Sequence, residues 1–149
     1  MPAALFDTNV WLAAIFPTHP FHAQAQHALQ NASTTAPAFW CRATEQSFLR
    51  LATTPALLEA YGAQGMGNRD ALQALDALQA LPQVGALIEA PGVRALWRQL
   101  ATRDTASPKV WMDAYLAAFA IAGGLRMVTL DGDFHQFVPQ GLNVLLLGA

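Results

Sequence analysis

Ten of the 149 residues are acidic, and four of those stand where a solvated surface does not account for them. Asp7 closes the short apolar run Ala3–Phe6. Asp131 closes the run Met127–Leu130, with Asp133 two residues on. Asp113 lies in an apolar helical stretch, where Val110, Leu116 and Ala117 are its three- and four-residue neighbours. Glu45 stands one turn ahead of Phe48 and Leu49. A carboxylate on such a face is costly to bury unpaired, and several meeting at short range would force some to keep their protons. A hard divalent cation removes that cost. An all-oxygen set of carboxylates suits Mg2+ or Mn2+, one ion or two, and argues against a Cys/His zinc site. A pair of such ions, roughly 3.5–4 Å apart, activates a water and stabilises the departing oxygen of an in-line displacement at phosphorus. Plainer readings stay open for each acid. Asp7 suits a helix cap in a strand-to-helix loop, and Asp133 a turn in Asp131-Gly132-Asp133. Glu45 can pair with Arg42 three residues back, and Asp113 with Lys109 one turn back.

The elements that would have to position these acids alternate between strand and helix. The pattern predicts strands at Ala3–Phe6, Pro37–Trp40, Val84–Ile88, Met127–Leu130 and Leu142–Leu147. It predicts helices at Pro20–Gln30, Ala43–Ala52, Asn68–Leu81 (with Asn68 as cap) and Gly92–Arg103, and one opened by Ser107-Pro108 and closed by Gly123-Gly124. Such alternation implies one α/β domain over residues 1–149, a mainly parallel central sheet with helices on both faces. Ligands of open sheets of this kind gather beyond the carboxyl ends of the strands, which puts Asp7 and Asp131 at one edge.

Composition narrows the function classes. Hydrophobic residues make up 54% of the chain and charged residues 12%, about half the charged share of an average soluble domain. That excludes a disordered chain and predicts an apolar surface that wants a partner, a homodimer among them. The net charge of −2 is not that of a basic nucleic-acid binder. The single cysteine, Cys41, has no partner thiol and fits a reducing cytoplasm. No secretory signal is expected, since the first residues carry no Lys or Arg and Asp7 interrupts the apolar run. The longest uninterrupted apolar stretch, Ala114 to Leu125, is too short for a bilayer.

Four segments in order resemble a family: Phe6-Asp7-Thr8-Asn9-Val10, Arg42–Leu51 around Glu45, Trp111–Ala120 around Asp113, and Val128–Phe134 around Asp131. Together they resemble the PIN-domain ribonucleases, in particular the VapC-type toxins of bacterial toxin–antitoxin pairs, and His19-Pro20-Phe21-His22 resembles a stretch of one VapC subgroup. The resemblance implies a PIN-like fold in which Asp7, Glu45, Asp113 and Asp131 are the catalytic, metal-binding acids. Thr129 would orient a carboxylate or a water, Asp133 would be a less regular fifth acid, and Asn9 would organise Asp7. It implies Mg2+-dependent endonucleolytic cleavage of RNA by water, leaving 5′-phosphate and 3′-hydroxyl ends. It also implies a VapB-type antitoxin that neutralises the toxin and carries the DNA binding for which this chain has no motif. With four acids on metal, eight basic residues face six acidic ones, so an acidic pI is compatible with phosphate binding.

Other groups are weighed the same way. Arg42 shares a face with Glu45 and is a candidate RNA contact. Arg94, Arg98 and Arg103 are phosphate-contact candidates or a solvated helix face. His19 and His22 offer a metal edge or a helix surface, and His135 a proton donor or an exposed ring. Trp11, Trp40, Trp97 and Trp111 read as core or interface residues. Two competing functions remain. A haloacid-dehalogenase-like phosphatase also has an Asp after its first strand, but would carry Asp-x-Asp where this chain has Asn9. A non-catalytic PIN-like binding module would not need its acids intact.

Overall fold

A computed structural model describes residues 2–148. In chain order the elements are β1 (Ala4–Phe6), α1 (Thr8–Ile15), α2 (His22–Asn31), β2 (Ala38–Trp40), α3 (Arg42–Ala52), α4 (Pro55–Ala60), α5 (Asn68–Gln79), β3 (Val84–Ala86), α6 (Val93–Ala101), α7 (Val110–Ala122), β4 (Arg126–Thr129), a 3₁₀ segment (Gly132–Gln140) and β5 (Asn143–Leu146). The five strands form one all-parallel sheet in the order β3-β2-β1-β4-β5. The chain builds outward from β1 through β2 to β3, then returns to the other side of β1 with β4 and β5. The order therefore reverses between β1 and β4, and such a switch point opens a crevice at the strands' carboxyl ends.

Strand side chains alternate between two cores. Ala4, Phe6 and Val128 face a core with Val10, Trp11, Trp40, Phe48 and Leu75. Leu5 and Met127 face a second core with Val93, Leu100, Phe119, Phe134 and the α7 alanines Ala114, Ala117, Ala118 and Ala120. Trp11 and Trp40 stack at 4.1 Å between ring centroids, and Phe48 meets Trp40 edge-on at 5.3 Å. Cutting a side chain such as buried Phe48 back to alanine would cost about 3–5 kcal/mol. Gly124 takes φ +66, open to glycine but strained for other residues. There Leu125 N–H reaches back to the Ala120 carbonyl at 2.8 Å, ending α7 and turning the chain into β4.

The predicted elements are all present, with shifted ends. Val84–Ile88 shrinks to three strand residues, and α2 begins at His22 rather than Pro20. Asn68 is not the cap of α5 but its first residue. Gly67 caps it, and the Gly67 N–H donates to Asp70 Oδ2 at 3.2 Å. Pro108 stands in a turn ahead of α7. Three further elements had no sequence prediction. Helix α1 is buried on nearly every side, so it lacks the amphipathic stripe by which a helix is recognised. Helix α4 has only six residues, and the 3₁₀ segment contains Pro139. Among the described residues, no helix is long and apolar enough to cross a membrane.

Candidate metal centre and active site

Each of the four singled-out acids stands at the start of a helical element. Asp7 is the N-cap of α1, Glu45 lies in the first turn of α3, Asp113 lies in the first turn of α7, and Asp131 caps the 3₁₀ segment. Unpaired N–H groups make those ends favourable for negative charge. The fold thus tolerates carboxylates there before any cation is considered.

Asp7 leaves β1 directly at the crevice. Its N–H donates to the Val128 carbonyl at 2.9 Å, continuing the β1–β4 register by one residue. That places it beside Thr129, whose hydroxyl donates to Asp7 Oδ2 at 2.7 Å, while Thr8 N–H donates to Oδ1 at 2.8 Å. The Thr129 oxygen in turn accepts from Asp131 N–H at 3.0 Å. One fully buried hydroxyl therefore ties the two strand-end acids together. Burial pushes the Asp7 carboxyl up to about 6. The Thr129 and Thr8 hydrogen bonds oppose that rise, and the nearby Asp113 and Asp131 charges add to it. Asn9 Oδ1 accepts from Leu130 N–H at 3.3 Å, which ties α1 to the exit of β4. It is an organising contact, not the second acid of an Asp-x-Asp pair.

One carboxylate oxygen from each of Asp113, Asp131 and Asp133 lies within 4.8 Å of the other two. Asp131 Oδ1 also accepts from Asp133 N–H at 2.9 Å, so the turn that bonds these two residues aims both acids at one spot. Asp113 is pushed up, first by partial burial and then by the Asp131 charge, with Asp133 adding to the rise and Lys109 opposing it. Lys109 pairs with Asp133, Nζ to Oδ2 at 3.5 Å, rather than with Asp113 as the local spacing suggested. Asp133 is therefore a full member of the cluster and more than the turn residue its setting implied. The sequence signal for it was the Asp-Gly-Asp spacing itself.

Glu45 stands apart. Arg42 Nε approaches Glu45 Oε1 at 3.5 Å, and Gln79 Nε2 donates to Oε2 at 3.2 Å. Among the described residues, no group of three close metal-ligating atoms includes Glu45 or Asp7. Asp7 nonetheless feels the charges of Asp113 and Asp131, whereas Glu45 is absent from the influences on either Asp7 or Asp113. Asp113, Asp131 and Asp133 thus meet at one corner, Asp7 feels the charges of the first two, and Glu45 is paired with Arg42 and Gln79. The donor set at that corner is all oxygen, which fits a hard divalent ion and no soft one.

The histidine candidates and Arg103 have backbone and side-chain partners of their own. His22 Nδ1 bonds the Ala13 carbonyl at 2.7 Å, and His19 Nδ1 accepts from Phe21 N–H at 3.0 Å, so both rings brace the approach to α2. His135 Nδ1 bonds the Gly132 carbonyl at 3.0 Å. Arg103 reaches the Leu100 carbonyl and Gln136 Oε1, tying the end of α6 to the 3₁₀ segment. Trp11 and Trp40 are core residues, and Trp111 lies outside the core, exposed on the surface.

The PIN domain profile matches residues 4–138. Ribonuclease VapC41 of Mycobacterium tuberculosis is 43% identical over 136 residues, covering 89% of this chain and 92% of that protein. Among solved structures, VapBC2 from Rickettsia felis bound to a DNA fragment from its promoter superposes with a TM-score of 0.63 at 12% identity, covering 97% of this chain and 98% of the other. Mycobacterium tuberculosis VapC20, a sarcin-ricin loop cleaving toxin, superposes with a TM-score of 0.61 at 17% identity, covering 94% and 96%.

Proposed function

The chain belongs to the PIN-domain family as a homologue of the VapC ribonucleases, and from that premise we propose that it is a metal-dependent endoribonuclease toxin that hydrolyses RNA phosphodiester bonds. The observation that carries the reading is the meeting of Asp113, Asp131 and Asp133 beside Asp7 at the switch point of the sheet. Asp7, Asp113 and Asp131, with Asp133 beside them, would hold one or two Mg2+ or Mn2+ ions, and Glu45 would complete the acid set. When bound, such an ion supplies the Lewis acidity that in-line displacement at phosphorus needs.

The protein's own part is positioning. Thr129 holds Asp7 in one rotamer and leaves its remaining lone pairs for a cation, since a carboxylate offers about four acceptor sites. Asn9 and Thr129 fix the backbone at Leu130 and Asp131, so the second strand-end acid is preset rather than recruited. Lys109 partly offsets the charge of Asp133. Water attacks the phosphorus, the bond from phosphorus to the 3′ oxygen breaks, and the 3′ oxygen takes up a proton. The products are a 5′-phosphate and a 3′-hydroxyl.

A VapB-type antitoxin is the partner this reading brings, and the cytoplasm its setting. With a net charge of −2, promoter DNA would be reached through that antitoxin. The deciding experiment incubates the purified chain with total RNA in Mg2+, in Mn2+ and in EDTA, and maps the ends. Metal-dependent cuts with 5′-phosphates, absent in Asp113→Asn, are expected. Cleavage of equal rate in EDTA or in Asp113→Asn overturns the assignment.

A further inference from the structure

A second concavity lies at the carboxyl ends of β2 and β3. It encloses about 340 Å³ between the first turn of α3, the segment leaving β3, and α7, the lower end of the size range of small-ligand sites. Glu45 and Arg42 form one wall, so the hollow shares a side chain with the proposed acid set. Tyr115 and Phe119 form the opposite wall. Tyr115 is two residues beyond Asp113 on α7, about 3 Å along the axis and about 200° around it, so it serves a different side of the helix and the link to the acid set runs through Glu45. Two groups here have no part in the chemistry at the metal corner. The Tyr115 hydroxyl donates to Glu89 Oε1 at 2.6 Å, which fixes a carboxylate at the mouth of the hollow. Ile88, beside it, is 91% exposed, an apolar side chain presented to solvent for no reason of folding.

We propose that this hollow is the base-recognition subsite of the nuclease, and that it selects an unstacked guanine next to the scissile phosphate through the Glu89 carboxylate, with Tyr115 and Ile88 flanking the ring. The proposal rests on the nuclease reading for its substrate but not for its chemistry. Single-stranded RNA is read by splaying bases out, packing them on aromatic side chains and bonding their Watson–Crick edges. Glu89 keeps one oxygen free of Tyr115 and remaining lone pairs on the other, and it can only accept. Guanine presents two parallel donors on that edge, its ring N1–H and its exocyclic amine, which match one carboxylate. Adenine and cytosine present a single amine beside a ring acceptor, and uracil one N–H between two carbonyls, so each sets a lone pair against the carboxylate. Arg42, its side chain 82% exposed at the rim, is placed for the attached phosphate.

The test uses the full chain in EDTA, so that RNA stays intact, with GMP, AMP, CMP and UMP as probes and backbone amide resonances as the readout. GMP is expected to move Leu87, Ile88, Glu89 and Tyr115 at concentrations at least tenfold below the other three. Glu89→Gln should remove that preference, and Tyr115→Phe, which keeps the ring, should weaken it. The second arm maps cleavage in Mg2+ for the parent and Glu89→Gln, expecting guanine-adjacent cuts to lose their excess over cuts beside the other bases. If the four nucleotides bind alike, or none moves these residues because the hollow serves a protein partner, the proposal is overturned. A guanine preference without any Asp113-dependent cleavage would keep the subsite and sink the nuclease. Cleavage whose base preference ignores Glu89 would do the reverse.

Discussion

Asp7 and Glu45 carry the same functional group and are held in opposite ways. Asp7 is 9% exposed and accepts from the Thr129 hydroxyl and the Thr8 N–H. Glu45 is partly open and paired with Arg42 and Gln79. A buried acid without a cation is a standing cost to the fold, whereas an acid at the rim with a guanidinium beside it costs little. Asp7 meets that cost with two hydrogen bonds, a helix N-terminus and a raised proton affinity, and on the proposed function a cation would remove the rest. Glu45 meets its smaller cost with its neighbours alone.

The largest expected effects lie at the first corner. Asp113→Asn and Asp7→Asn remove charge where a cation would sit. Losing several kcal/mol of transition-state stabilisation there should lower cleavage by at least about 10²-fold with the fold intact. Rates on one RNA substrate, with circular dichroism as the folding control, measure this. Glu45→Gln should cost about tenfold. A loss equal to that of Asp113→Asn would break the contrast, because Glu45 would then have to leave Arg42 and join the cluster when metal binds.

Thr129→Val tests whether the contrast is built by hydrogen bonding. It removes the donor to Asp7 and the acceptor for Asp131 N–H while keeping the shape. Contacts that orient metal ligands are typically worth 10–100-fold in metal affinity, so Mn2+ binding followed calorimetrically should weaken by that factor. An unchanged affinity would mean that burial alone orients Asp7.

The contrast has a pH signature. Asp7 titrates near 6 in the folded protein against an ordinary value of 3.8. The unfolded chain ionises first as pH rises, so between about 4 and 6 the native state holds the extra proton. Stability of the metal-free protein should therefore fall across that window, by on the order of 2–3 kcal/mol, and level off above it. Urea unfolding in EDTA at pH 4.5 and 7 reads the change, and Asp7→Asn should flatten it. Metal affinity should rise through the same window and then plateau, because the ion displaces that proton.

How much of this was legible in the sequence follows from the same physics. Parallel strands that are apolar throughout, helices with one apolar face, and acids at strand ends are local patterns, and they placed Asp7 and Asp131 at one edge, while Asp113 joined them only through the family resemblance. Helix α1 was not legible because a helix buried on all sides has no stripe. The link from Thr129 to Asp7 crosses 122 positions and depends on which strands pair, which periodicity does not encode. Glu45 was legible in its pairing with Arg42, and its bond from Gln79, 34 positions away, was not. Glu89 and Tyr115 carry no signal at all, being ordinary residues 26 apart that one hydrogen bond joins.

The smallest effect belongs to the open corner. Arg42 is mostly exposed and its link to Glu45 is long at 3.5 Å, so Arg42→Ala should change unfolding free energy by less than about 1 kcal/mol. If its guanidinium serves the RNA instead, the loss will show in binding. Affinity for single-stranded RNA in EDTA should fall, and the slope of log affinity against log salt should become shallower by about one unit. A stability loss of several kcal/mol with an unchanged salt slope would reverse the assignment. Arg42 would then be a structural partner that Glu45 cannot give up, and the two corners would differ in depth but not in purpose.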